Sequence, residues 1–148
     1  MNNQLVVFRL RGSEFAIPIA QVKEIIRVPS IAAIPGAPAG VEGVINLRGR
    51  VIPVINLTRS LGWGDFQATD ASRILVTELG HLVAGLLVDS VTEVLEVEES
   101  QMEPMAQIGH LHAEEVQGIA KTGERLIAVL RPENLLNGNA AQCIQDIA

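Results

Sequence analysis

The sequence predicts a mainly β protein built as two pseudo-symmetric five-stranded β-barrel subdomains, with short helices and a C-terminal helix. Three observations predict it. Apolar runs rich in Val and Ile, bounded by Gly, Pro, Asn or Asp, recur along the chain and read as strands. No long amphipathic helical pattern interrupts them in the middle. The chain also matches itself: slid along its own length, residues 5–26 fall on 74–95 without a gap. Val7 then meets Val76, Leu10 meets Leu79, Ile17 meets Leu86, Ile19 meets Val88 and Val22 meets Val91, while Glu24 falls on Glu93. A slightly larger offset lays 41–44 on 116–119, with Gly43 on Gly118, and 51–55 on 126–130. Each half thus carries a hairpin, a short crossover, a strand, a loop and a second hairpin. Short twisted strands in that number close naturally into a small barrel, which removes exposed edges. Two similar barrels side by side leave a groove between them.

The elements follow in order. The first strand covers 5–10, Arg11-Gly12-Ser13 supplies a hairpin turn, and 15–19 returns. A third strand covers 25–28. Residues 35–40, rich in Gly and Pro, read as a stiff loop; they lack the Lys and Ser/Thr that a phosphate-cradling loop needs. Residues 41–57 are the most informative stretch. Two β-branched runs, 44–47 and 51–55, flank the tight polar turn Asn46-Leu47-Arg48-Gly49. A turn needing only flexibility could be Asn-Gly or Ser-Gly. This one holds a long cation at the tip of a rigid hairpin, which points to a specific contact by Arg48. Residues 57–62 suggest one helical turn ended by Gly62, and the polar stretch 65–70 follows, so the boundary between the halves falls near 60–73. Strands at 74–79, 82–88 and 91–97 come next. The loop 98–115, with Met102, Pro104, Met105, His110 and His112, is expected to be the most mobile internal part. Strands at 116–120 and 126–130 complete the second half. Pro132 suits the first turn of a helix. Leu135, Leu136, Ile144 and Ile147 would then dock a C-terminal helix over about 132–147, interrupted near 137–139.

Composition narrows the function classes. The chain of 148 residues is one domain, or two small halves sharing a core. It is long enough to bury about two thirds of its unfolded surface, so it needs no disulfide or metal to fold. Its single cysteine, Cys143, cannot form an internal bridge and fits a reducing compartment. The longest apolar run, 82–88, is too short to cross a bilayer. The first residues have no basic region ahead of their apolar ones, unlike a signal peptide. A cytoplasmic location is expected. Net charge is −6, aromatic residues make up 3% and tyrosine is absent, so the basic face and stacking platforms of nucleic-acid binding are missing.

No convincing catalytic set appears. His110 and His112 would share one side of a strand, with Glu114 or Glu115 as a third metal ligand; solvated histidines are the commoner arrangement in a polar loop. Cys143 has no basic neighbour to activate it. Glu93, Glu96, Glu98 and Glu99 read as a solvated face, and Asp89 as a cap for the turn after 82–88. That leaves Arg48 and Glu24. Either Arg48 points into water, or Glu24 on the first crossover reaches it across the barrel. Such a pair would fix the hairpin at the groove and present the remaining guanidinium donors to a partner.

With those residues in view, a resemblance emerges. Residues 43–49 followed by Ile52-Pro53-Val54-Ile55-Asn56-Leu57 closely resemble the signature of CheW-like coupling domains of bacterial chemotaxis. Residues 17–25 are similar to the family's early segment, 85–94 to its central one and 118–136 to its close, so the likeness covers nearly the whole chain. Asn56 stands where the family often has Asp. The resemblance implies a single CheW-like domain over 1–148, folded as two five-stranded barrels around a shared hydrophobic interface. It implies a non-enzymatic adaptor without cofactor or metal, inserted in no membrane and bound to no nucleic acid. The implied partners are the cytoplasmic tips of methyl-accepting chemoreceptors and the regulatory domain of the histidine kinase CheA. Carried over by the resemblance, Val22, Glu24, Gly43, Arg48, Gly49, Gly85, Val91 and Val94 would line or shape the receptor groove. Strands around Val54, Ile74 and Leu75 would serve the kinase. The competing readings are a metal-binding module at His110 and His112 and a small-molecule-sensing module using the groove.

Overall fold

Strands at the centre of a sheet are apolar on both faces, whereas edge strands alternate. Both patterns are present in the computed structural model, which describes residues 2–38, 40–60, 63–104, 107–108, 111–112 and 115–134. Continuous burial marks β5 (Arg50–Asn56), β7 (Leu82–Val88) and β13 (Arg125–Leu130). Alternation marks β3 (Val22–Arg27) and most of β8 (Ser90–Glu98). The other main strands are β1 (Asn2–Leu10), β2 (Ser13–Pro18), β4 (Val41–Leu47), β6 (Arg73–Leu79) and β12 (Val116–Thr122). The loop 98–115 contributes the two-residue strands β9 (Met102–Glu103), β10 (Gln107–Ile108) and β11 (Leu111–His112).

The class is mainly β, as expected, with two sheets of similar size. One runs β8-β1-β2-β13-β12-β9 and the other β3-β6-β7-β5-β4; β10 and β11 pair by themselves. Neither ladder closes on itself among the described residues. The repeat is obeyed strand by strand: β3 lies against β6 as β8 lies against β1, and β5 runs parallel to β7 as β13 does to β2. Bulges recur at matching places, between Val22 and Glu24, opposite Val7 and Phe8 on β8, between Val41 and Gly43, and between Val116 and Gly118. The first hairpins, however, are exchanged. β1 and β2 sit with the strands of the second half, and β6 and β7 with those of the first. The sheets therefore do not divide the chain at 60–73; that stretch joins β5 to β6 within one sheet.

Three cores result. Leu5, Val7, Ala16, Val97, Ile127 and Val129 fill the inner face of the first sheet. Ile45, Ile52, Val54, Ile74, Val76 and Leu87 fill that of the second. A sheet packing mainly on its own inner face must be strongly curved, so each is barrel-like without a closed ladder. Between the sheets, Phe8, Phe15 and Ile17 meet Ile55, Leu75 and Leu86. Each fully buried Leu, Ile or Phe contributes about 1.5–3 kcal/mol, which makes this shared cluster a strong tie between the sheets.

Helix is scarce. The expected turn after β5 is α1 (Leu57–Ser60), capped by Asn56, whose Oδ1 accepts from the Arg59 backbone N–H at 3.1 Å. Gly62, expected to end it, lies outside the described residues. At the far end Pro132 is buried in a short 3-10 turn, Pro132–Asn134. The expected continuation through Leu135, Leu136, Cys143, Ile144 and Ile147 lies outside the described residues, as do Met105, His110 and Glu114. Asp89 does cap a turn, but the other hairpin's. Its Oδ2 accepts from the Arg11 N–H at 2.7 Å, because β8 pairs with β1 and brings residue 89 to the β1–β2 turn.

Candidate functional site

The β4–β5 connection is a two-residue loop, Arg48-Gly49, with φ of 52° and 82°. Positive φ at both positions matches a type I′ hairpin turn, whose twist suits the flanking strands. Arginine is an unusual occupant of the first position, since the left-handed region crowds its Cβ. The turn is braced by Asn46, whose Oδ1 accepts from the Gly49 N–H at 2.8 Å. From this turn Arg48 reaches β3. Its Nη1 donates to Glu24 Oε2 at 2.6 Å and its Nη2 to Glu24 Oε1 at 2.9 Å, a two-pronged pair. β3 and β4 are the outer strands of their sheet, so this pair ties together edges that no backbone ladder joins.

The two partners differ in exposure: the Arg48 side chain is 75% accessible and that of Glu24 26%. The carboxylate is sheltered and the guanidinium faces solvent, with donors to spare. The hydrogen bond to Glu24, and then its charge, hold Arg48 above the ordinary arginine range. It therefore stays a cation throughout the physiological range. Of the two sequence readings, the pair is the one realised.

The remaining groove candidates divide between the sheets. Val22 on β3 and Val91 on β8 each pack against the shared core, from strands that correspond in the repeat. Val94, half exposed, lies further along β8. Gly43 and Gly85 are each fixed by close packing. A Cβ on Gly43 would collide with the Ala32 carbonyl oxygen, where residues 32 and 44 exchange two backbone hydrogen bonds. A Cβ on Gly85 would stand 2.5 Å from Ile74 Cγ2, so this glycine makes room for Ile74.

The strands expected to serve a kinase are marked by Val54, Ile74 and Leu75, and these side chains do not reach the surface: all three are fully buried. Successive residues on β6 point to opposite faces, and here both faces are covered, Ile74 inside its own sheet and Leu75 against the other. These side chains brace the strands from within. The same sheet instead exposes Ile25 and Val51. Sequence reading passed over both; the structure shows that the positions aligned with them, Val94 and Leu126, are exposed as well.

The second half carries an ion pair at the matching glutamate, with an arginine, Arg125, that aligns with Arg50 and not with Arg48. Glu93, aligned with Glu24, meets Arg125 Nη1 at 2.6 Å. Arg125 also donates twice to Glu14, from Nε and Nη2, each at 3.1 Å. Hydrogen bonds to Glu14, then to Glu93, raise it above the usual arginine range. Among the described residues, no group of three His, Cys, Asp or Glu side chains is placed to hold a metal. The side chains of His110 and His112 lie outside that description.

Comparison with known proteins identifies the family. Residues 4–140 match the family model of the CheW-like domain. The chain belongs to the CheW family. It is 34% identical over 137 residues to the probable chemotaxis protein CheW of Rhizobium etli, covering 92% of this chain and 88% of that protein. It is 31% identical over 140 residues to chemotaxis protein CheW of Bacillus subtilis, covering 94% and 90%. In structure it is similar to the scaffolding protein TtCheW of Thermoanaerobacter tengcongensis, with a TM-score of 0.85 and 36% identity over 95% of this chain and 91% of that one. Among the described residues, no helix is long and apolar enough to cross a membrane.

Within this CheW-like domain, the asparagine at 56 has a physical explanation. Asn56 is buried, and its Nδ2 donates to Glu42 Oε2 at 3.2 Å while its Oδ1 accepts from the Thr58 hydroxyl at 2.7 Å. An aspartate could accept but not donate, so it would face Glu42 as a second carboxylate. Asn56→Asp is expected to lose about 1–3 kcal/mol at pH 7. Burial and Glu42 would raise the new carboxyl's folded-state pKa above its unfolded value. The deficit should therefore open as pH rises above about 4 and shrink on acidification. Adding Glu42→Lys should restore stability by supplying a cation. Urea melts at pH 7 and pH 5 check this; equal stability of the single variant and wild type at pH 7 would refute it.

Proposed function

We propose that this protein is a non-enzymatic adaptor that couples the cytoplasmic tips of chemoreceptors to the histidine kinase CheA, working in the cytoplasm without a cofactor. Family membership supports the reading, together with relatives named as chemotaxis proteins and a structural neighbour named as a scaffold. The observation that carries it is the Arg48 guanidinium, exposed at a braced turn and held in one direction by both carboxylate oxygens of Glu24. A cation of fixed direction suits a helix with an acidic flank, the form a helical receptor tip would present.

The receptor groove is assigned to Val22, Glu24, Arg48, Val91 and Val94, shaped by Gly43, Gly49 and Gly85. The kinase contact is placed on the sheet braced by Val54, Ile74 and Leu75, through its exposed neighbours. An adaptor of this kind has no chemistry of its own. It acts by holding two partners at once, so that a shift in the receptor biases the kinase between two states. One domain over 1–148 with two sheet subdomains gives it two separate faces.

Reconstitution tests the proposal. Added to receptor cytoplasmic fragments and CheA, the protein should raise kinase autophosphorylation and make it responsive to receptor state. Failure to join receptor and kinase in one sedimenting complex would overturn it.

A further inference from the structure

The strand pair β3–β6 ends on two arginines. Arg27, the last residue of β3, lies directly opposite Arg73, the first of β6. Like charges set opposite each other across a ladder repel. At the other end of the same pair the charges attract, Lys23 meeting Glu78 at 3.5 Å. The two arginines line a cleft of about 680 Å³ together with Asp70 and Ser72. Arg73 is held in place: its Nη1 donates to the Ser72 carbonyl at 2.7 Å and to the Asp70 carbonyl at 2.9 Å. Among the described residues, the exposed Arg27 side chain makes no hydrogen bond, and neither guanidinium joins an ion pair. The Asp70 carboxylate is in no ion pair either.

The fold does not require this pair. In the repeat the matching positions hold Glu96 and Gln4, which also lie directly opposite each other. From Glu24 onward β3 alternates regularly, so Arg27 leaves the strand on the face away from Glu24 and its bond to Arg48. The proposed receptor contact and this cleft are separate surfaces of one edge strand.

We propose that the Arg27–Arg73 pair receives a carboxylate of the kinase CheA, so that this adaptor reads its kinase by charge. The inference rests on the adaptor reading, which places the kinase contact on this sheet; Arg73 directly precedes Ile74 on β6. Charge selects the occupant. Two guanidiniums against one carboxylate leave the cleft one positive charge in excess, which a single aspartate or glutamate balances and a doubly charged phosphate overshoots. A guanidinium also takes a carboxylate through two parallel bonds, which fixes its direction. A second copy of this chain fits less well, because Glu96, at the matching edge, is already engaged within its own chain.

The full-length protein is titrated calorimetrically with CheA at about 0.05 M and about 0.5 M sodium chloride. Arg27→Gln should weaken binding about fivefold at low salt and flatten its salt dependence. Its melting temperature should match or exceed that of wild type, because a repulsion is relieved and no side-chain hydrogen bond is lost. Capture of receptor fragments should not change. Arg11→Gln removes a positive charge from the β1–β2 turn of the other sheet and should bind CheA as wild type does. If wild type binds CheA and Arg27→Gln keeps the same affinity and salt slope, the proposal is overturned and the adaptor reading stands. No binding of CheA by wild type overturns both. Self-association of wild type that Arg27→Gln abolishes also overturns the proposal, by assigning the pair to a second copy. A lowered melting temperature of Arg27→Gln overturns it by making Arg27 structural.

Discussion

Arg48→Ala is expected to leave far-UV circular dichroism and the melting curve close to wild type while weakening capture of receptor cytoplasmic fragments about tenfold or more. The fold should survive because the side chain is mostly in solvent and the turn keeps its other supports, Gly49 and the Asn46 hydrogen bond. Binding should not survive, because a cation aimed by a two-pronged bond is a directional contact that neighbouring residues cannot replace. A charge swap separates the two jobs of the pair. Glu24→Arg combined with Arg48→Glu would restore an ion pair across the sheet edges but reverse the charge shown to a partner. Recovery of binding in the swap would mean that only the tie matters. Unchanged capture by Arg48→Ala would remove the receptor contact from this turn altogether. Global unfolding would make the pair purely structural.

Gly43→Ala should produce the largest loss of stability, about 3 kcal/mol or more. A methyl group there meets the Ala32 carbonyl, which is backbone and is anchored by two hydrogen bonds of 2.9 Å to residue 44. Relief requires moving the 31–32 segment off the strand or bending β4 further at its bulge. For a domain of this size the melting temperature should fall by about 6–12 °C. Gly123→Ala is the control. Its φ of 61° also disfavours alanine, but nothing lies within 4 Å of the added Cβ, so about 1 kcal/mol should be lost. Gly118→Ala should resemble Gly43→Ala, since its Cβ would stand 2.7 Å from the Glu103 carbonyl oxygen at the matching place in the repeat. Similar melting of the Gly43 and Gly123 variants would show that the contact with Ala32 yields easily.

Much of this molecule was legible before any coordinates. Val and Ile runs between turn residues located the main strands, and the internal match anticipated that β1 corresponds to β6 and β4 to β12. The Arg48-Gly49 turn announced itself by spending a long cation where a small residue would serve. The Glu24–Arg48 pair could be named, though not decided, because a sequence carries no distance between a crossover strand and a hairpin tip. What the sequence left open was facing. Val54, Ile74 and Leu75 are buried side chains, and a run that is apolar throughout does not say which surface, if any, is open.

Strand identity, turn positions and the two-fold pattern follow from local chemistry: β-branched side chains favour extended backbone, and Gly, Pro and Asn end it. The exchange of first hairpins was settled only in three dimensions. Because the two halves carry nearly the same pattern, β1–β2 could satisfy the strands of either half, and composition alone cannot rank the choices. The long-range packing of Phe8, Phe15 and Ile17 against Ile55, Leu75 and Leu86 accompanies the exchanged arrangement. Beside the first sheet, Arg9, Trp63 and Leu126 line one groove from three separate parts of the chain. Proximity of that kind is a property of the packed whole, since no spacing along the sequence encodes it.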